Sequence, residues 1–154
     1  FNPADIRNVS LVDYDNNIYY VKTAEIGGIS YVIPNLGAGM YREIHAYVDK
    51  MFSSNPAVRE GATIAIYNAT ETPGVAGAEQ TRLEDEGYTI SEIDDAAVGD
   101  CAEKYCVFVM DDAMSATKAA LEERYGILAQ SAAELPGDIY PGDVSIVIVI
   151  GAAE

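Results

Sequence analysis

The sequence predicts a mixed α/β (α+β) fold from residue 62 onward, a β-α-β-β-α-β split-βαβ sandwich with helices on one face of a sheet. A partial strand-and-helix segment precedes it. Three observations predict it. Short runs rich in β-branched residues alternate with stretches of helical period. Formal charge steps at residue 61, from 5 basic and 7 acidic residues (−2) before it to 4 basic and 18 acidic (−14) from it onward. A doubly wound sheet needs more parallel strands and crossover helices than these residues supply. The expected organisation is therefore residues 1–54, a linker at 55–61, and a second domain at 62–154.

In the first part, "VSLVDYDNNIYYVKT" reads as two strands around Asp15-Asn16-Asn17, residue types that tolerate a tight turn. Gly27-Gly28 punctuates the chain, "ISYVI" reads as a third strand, and Pro34 ends it. "MYREIHAYVDKMF" is the clearest helix, with Tyr41, Ile44, Tyr47, Val48, Met51 and Phe52 on one stripe at spacings of three and four. His45 falls between the faces and is read as a surface or boundary residue. "SSNPAVREG" is rich in turn formers and reads as the linker.

In the second part, "TIAIYN" is a strand with Ile64 and Ile66 on one face. A helix follows from near Pro73 to Glu86, with Pro in its first turn and Gly87 after its last. "YTISEI" is the next strand, and "YCVFVM" reads as a central strand buried on both sides. Asp111, Asp112 or Ser115 is expected to cap a second helix that ends in "ALEERYG". "ILAQSA" suggests a short strand, "LPGDIYPGD" a double turn, and "VSIVIVIG" a long closing strand.

Charge and composition exclude several functions. A net charge of −16 leaves no basic face for nucleic acid or for an anionic lipid surface. The apolar "VSIVIVIGAA" is shorter than the ~20 residues that span a bilayer. His45 is the single histidine and Cys101 and Cys106 the two cysteines, too few for a zinc site, and no cofactor is expected. The cysteines have two readings: free thiols in a reducing compartment, or one disulfide in an oxidising one, with the disulfide first. The start "FNPADIRNVSL" has no basic and apolar leader pattern, so a fragment or processed product is expected, its address carried by other residues.

Nucleotide chemistry fails on residue identity. The strand ending at Asn68 is not followed by G-x-G-x-x-G, and no lysine lies between Lys50 and Lys104 for a G-K-[ST] loop. Thr70 or Thr72 is expected to cap the helix amides that could otherwise hold an anion. Asn68 suits an Asx-type turn, Gly74 a corner where a side chain would crowd, and Ala76 a close approach of helix to sheet. The carboxylates at Glu84–Glu86, Asp94-Asp95 and Asp111-Asp112 lack the spacing of a glycosidase pair or a calcium loop. No G-x-S-x-G elbow accompanies His45.

"IAIYNATETPGVAGAEQTRLEDEGYTI" resembles the opening of the LytR C-terminal domain, which commonly follows the catalytic domain of LytR-CpsA-Psr cell-envelope proteins. Ile64, Ile66, Asn68, Thr70, Gly74, Val75, Ala76, Leu83, Gly87 and Tyr88 match its pattern, and "GDVSIVIVIG" its last strand. Ala69 departs from the family's usual glycine, and the Cys pair is not part of the pattern. The resemblance spans Ala62 to Ala152, and residues 1–53 are similar in order and spacing to the tail of a LytR-CpsA-Psr catalytic domain. The resemblance implies an extracytoplasmic, non-catalytic accessory module that engages wall polymer, the catalytic domain or another envelope protein. That catalytic domain transfers lipid-pyrophosphate-linked glycopolymer with Arg, Asp and magnesium. None of those motifs maps here, and Arg7 and Arg42 do not replace them. The alternatives are a fragment of that phosphotransferase, or an α/β scaffold that mediates oligomers.

Overall fold

The computed structural model describes residues 10–13 and 18–152, and the chain forms two compact units that divide between Met51 and Phe52. The expected turn at Asp15-Asn16-Asn17 and the position of Arg7 lie outside the described residues.

The first unit pairs β1 (Val12–Asp13) with β2 (Ile18–Tyr19), and β3 (Val21–Ile26) with β4 (Ile29–Pro34), both antiparallel. Gly27 and Gly28 link β3 to β4 at φ 62° and 80°, a left-handed pair that L side chains resist and that matches the twist of a two-residue hairpin. Helix α1 (Arg42–Met51) carries Ile44, Tyr47, Val48 and Met51 of the expected stripe, while Tyr41 and Phe52 fall just outside its ends and Phe52 is exposed. Ile44, Tyr47 and Met51 are half-buried, Tyr41 and Val48 are exposed, and the Tyr47 ring lies 4.6 Å from that of Tyr20.

The second unit begins with a difference from the expected linker. Pro56–Glu60 is a short helix, α2, whose Asn55 Oδ1 accepts the Ala57 amide and whose Gly61 closes it at φ 75°. The cap, the proline and the terminal glycine that suggest a loop are here the start and stop of one helical turn. Ala57 and Val58 are buried. Strand β5 (Thr63–Asn68) leads to α3 (Val75–Asp85) and β6 (Thr89–Asp95). Strand β7 (Tyr105–Val109) leads to α4 (Ser115–Tyr125) and β8 (Gln130–Ser131), and β9 (Ile146–Ile150) ends the order.

The five strands form one mixed sheet in the order β6-β5-β9-β7-β8. The α+β class and the alternation agree with the sequence. Each crossover joins neighbours, β5 parallel to β6 and β7 parallel to β8, and β9 enters between these two βαβ pairs, parallel to β5 and antiparallel to β7. The split thus falls between two βαβ units rather than within one.

Side-chain alternation sorts the core onto two faces. Ile64, Ile66, Val107, Ile146 and Ile148 meet Ala76 and Leu83 of α3 and Leu121 of α4. Ala65, Tyr67, Phe108, Val147 and Val149 face the other way, against Ala69, the cysteines, Leu135, Ile139 and Val144. Helices α3 and α4 cover one face, and the segments 96–104 and 132–145, the second opening with a 3-10 turn at Ala132–Glu134, cover the other. Strand β9 is buried along its whole length, which explains its unbroken "IVIVI".

The cap of α4 comes from elsewhere than expected. Met114 occupies the N-cap without a side-chain bond, and Asp111 instead accepts the Ala113 amide at 2.9 Å. Glu60 of α2 takes the helix end: its carboxylate accepts the Ala116 amide (2.8 Å), the Thr117 amide (2.7 Å) and the Thr117 hydroxyl (2.8 Å). Burial pushes the Glu60 carboxyl up, and the four hydrogen bonds from Ala116, Thr117 and Ser115 outweigh it, so its pKa is lowered.

Candidate functional site

Two places concentrate chemistry in the second unit. The first is the corner after β5. Asn68 Oδ1 accepts the Thr70 amide (3.1 Å) and hydroxyl (2.7 Å), and Nδ2 donates to the Thr72 carbonyl (3.1 Å). The Thr72 amide donates to the Thr70 hydroxyl at 3.1 Å. The threonines therefore brace the loop and do not cap α3, whose N-cap is Gly74 at φ 81° with no side-chain bond. No atom stands within 4 Å of a Cβ placed on Gly74, so its backbone angle, not crowding, favours glycine. Ala76 is buried against Ile64 and Ile66. Gly87 has φ 94°, and a Cβ there would stand 3.2 Å from Val58 Cγ1 of α2. A cleft of about 300 Å³ opens here, lined by Asn68, Gly74, Ala76, Gly77 and Ile93 together with Asp94 and Asp95. Two carboxylates beside the helix amides repel the phosphate that such a helix end otherwise attracts.

The second place is a cleft of about 570 Å³ lined by α3, the α4 terminus and the segment before β7, with Glu79, Arg82, Glu103, Lys104, Tyr105 and Arg124 among its residues. Glu79 is 2% exposed and fully engaged. Its Oε1 accepts the Tyr125 hydroxyl at 2.8 Å and lies 3.4 Å from Arg124, and its Oε2 accepts from Arg82 at 3.0 Å. Arg124 also donates to both oxygens of Glu86. The rings of Tyr105 and Tyr125 stack at 4.1 Å. Burial, then the charge of Glu79 and the hydrogen bond to it, pushes the Tyr125 hydroxyl far up. Burial opposes the Arg124 charge, but the bond to Glu86 and the nearby carboxylates raise its pKa overall. Tyr125 is thereby kept neutral and Arg124 charged at neutral pH.

One wall of this cleft is clamped. Cys101 and Cys106 are joined by a disulfide with Cα atoms 5.8 Å apart, so the bond encloses Glu103, Lys104 and Tyr105. Gly151, just after β9, donates its amide to the Lys104 carbonyl at 3.0 Å. A Cβ at Gly151 would collide with the carbonyl oxygens of Glu103 and Cys101, which is why the chain can pass there only as glycine.

The other sequence candidates do not converge on these places as a reactive set. His45 is exposed on α1, its ring stacked on Tyr41. Glu84 accepts from Gln80, and Glu86 pairs with Arg124. Asp112 is exposed beside the Asp111 turn. Among the described residues, no three His, Cys, Asp or Glu side chains group to hold a metal ion, and no helix is long and apolar enough to cross a membrane. Sequence reasoning missed Glu79, although it lies with Ala76 and Leu83 on the buried stripe of α3; a carboxylate on an apolar stripe signals a paired, buried charge.

A family model described as LytR cell envelope-related transcriptional attenuator (LytR_C) matches residues 61–153. The solution structure of the C-terminal domain of RV0431 is similar at 22% identity and a TM-score of 0.42, covering 58% of this chain and 71% of that one. No curated protein matches the chain.

Proposed function

The chain belongs to the LytR_C family of cell-envelope-related domains, and on that premise we propose that its second unit is a non-catalytic, extracytoplasmic binding module of a protein that builds the envelope. The observation that carries this reading is the Cys101–Cys106 bond around the wall of the α3–α4 cleft. A disulfide persists where the surroundings are oxidising, as outside the cytoplasm. Here it fixes a surface rather than a reactive group. The buried carboxylate of the cleft already spends its oxygens on Tyr125, Arg82 and Arg124, an arrangement suited to a rigid wall and unsuited to proton transfer. Residues 1–54, in this reading, are the tail of a LytR-CpsA-Psr catalytic domain, and wall polymer is the partner.

Co-sedimentation of the whole chain with purified cell-wall sacculi tests the proposal. The oxidised chain is expected in the pellet, in a saturable manner. Recovery in the supernatant to the same extent as an unrelated acidic protein would refute it.

A further inference from the structure

We propose that the α3–α4 cleft binds a saccharide unit bearing an acidic group, a carboxylate or a phosphate ester, against a rim held in place by the disulfide. The inference rests on the reading of the unit as a binding module and names the ligand chemistry of its site.

Charge placement carries it first. Residues 61–154 contain four basic side chains against 18 acidic ones. Three of those four, Arg82, Lys104 and Arg124, line this one cleft. The fourth, Lys118, stands 4.0 Å from Glu122 on α4. The cations are not all consumed by the local carboxylates. Glu79 lies beneath Arg82 and Arg124, whereas Lys104 is exposed at the rim and forms no ion pair among the described residues. Here the three cations are balanced by Glu79, Glu86 and Glu103, whereas residues 61–154 as a whole carry −14, so within the second unit an anion meets less repulsion at this cleft than at a carboxylate-lined one. The smaller cleft at Asp94 and Asp95 has the opposite character.

Shape and order carry it further. The volume of about 570 Å³ falls within the range of small-ligand sites. The half-buried Tyr105 and Tyr125 rings, stacked on each other with their hydroxyls turned to Glu79, line the cleft with aromatic surface, which suits the apolar face of a sugar ring. The disulfide and the Gly151–Lys104 bond hold the backbone at Lys104 before any ligand arrives, so little ordering entropy is lost on binding.

The test is amide NMR of the full oxidised chain titrated with tetragalacturonate, glucose 1-phosphate, maltotetraose and inorganic phosphate. Shifts at Lys104, Tyr105, Gly126 and Ile127 with either acidic saccharide, and weaker shifts with maltotetraose, support the proposal; which acidic probe acts identifies the anion. Lys104→Gln, which breaks no internal ion pair, is expected to weaken the acidic saccharide about threefold to fivefold at low salt. It should leave maltotetraose and the rest of the spectrum unchanged. Shifts with inorganic phosphate as large as with the saccharides, shifts located elsewhere, or no effect of Lys104→Gln would overturn it. Sedimentation with sacculi while the cleft amides stay still sinks this inference and leaves the binding module standing. Cleft shifts without sedimentation support this inference and refute wall polymer as the partner.

Discussion

Glu60 links α2 to the rest of the second unit, and its removal has a calculable cost. Glu60→Ala deletes an acceptor that takes two helix amides and the hydroxyl of Thr117, a residue with 0% exposure. Loss of a side-chain cap and of charge-assisted bonds from buried donors amounts to about 2 kcal/mol. For a unit of about 100 residues this corresponds to a fall in Tm of roughly 10 °C. Glu60→Gln keeps one carbonyl acceptor but loses the charge at the positive end of α4, for about 1 kcal/mol. Native-state hydrogen exchange separates the effects: Ile148 reports opening of the whole unit, and Ala116 and Thr117 report the helix end. The pH dependence has a definite sign. The folded carboxyl titrates below the ordinary value of 4.5, so its contribution is complete above that pH and fades as pH falls through the folded pKa. The gap between parent and Glu60→Gln should close in that acidic range. A fragment 62–154 loses Glu60 and the burial of Ala57 and Val58 together, and should be less stable than Glu60→Ala in a chain beginning at Phe52. Unchanged protection at Ala116 and Thr117 in Glu60→Ala, or a loss at Ile148 below about 0.5 kcal/mol, would refute the reasoning.

Gly151→Ala should destabilise the second unit by about 1–3 kcal/mol in urea unfolding, because the new Cβ meets backbone oxygens that the disulfide prevents from retreating. Asn68→Asp replaces the donor facing the Thr72 carbonyl and Asp95 with a second acceptor; a loss of about 1–3 kcal/mol is expected at neutral pH, shrinking on acidification as the carboxyl protonates, and equal stability of the two proteins at pH 7 would disprove the loop account. Replacing both Cys101 and Cys106 by Ser should cost about 2 kcal/mol, the modest value for a short closed loop, while amide exchange at Lys104 and Tyr105 rises far more than at Ile148.

Much of this fold was legible because its elements obey simple periods. Helix α1 shows its stripe, β5 its alternation, and β9 its unbroken apolar run. The strand order was not legible, because nothing local in "VSIVIVI" says that it lies between β5 and β7. That placement comes from hydrogen bonds between segments some 80 residues apart, such as Ser145 to Thr63. Helix α2 escaped because five residues are too few to show a period, although Asn55, Pro56 and Gly61 carry start and stop signals. The α4 cap escaped because the capping carboxylate sits 56 residues upstream of the amide it accepts. For the site, the cysteine spacing left both redox states open, and only the fold shows that the bond encloses the residues lining a cleft.

Folding alone does not explain why Glu79 is charged. A buried ion pair contributes little net stability, since desolvation offsets most of the attraction, and an apolar side chain of similar volume at such a position is often neutral or stabilising. Ala76 and Leu83 already make that stretch of α3 apolar, and a methionine at 79 would continue it. What the carboxylate does provide is orientation: it fixes the Tyr125 hydroxyl and draws Arg82 and Arg124 toward one wall of the cleft. The opposite end of that wall is fixed by a second device, the disulfide with Gly151 behind it. Two independent constraints, one electrostatic and one covalent, therefore converge on the same surface while the adjoining rim residue, Lys104, keeps its charge outward. Stability does not require that convergence; the proposed binding role would use it, as preorganisation lowers the ordering cost of a ligand.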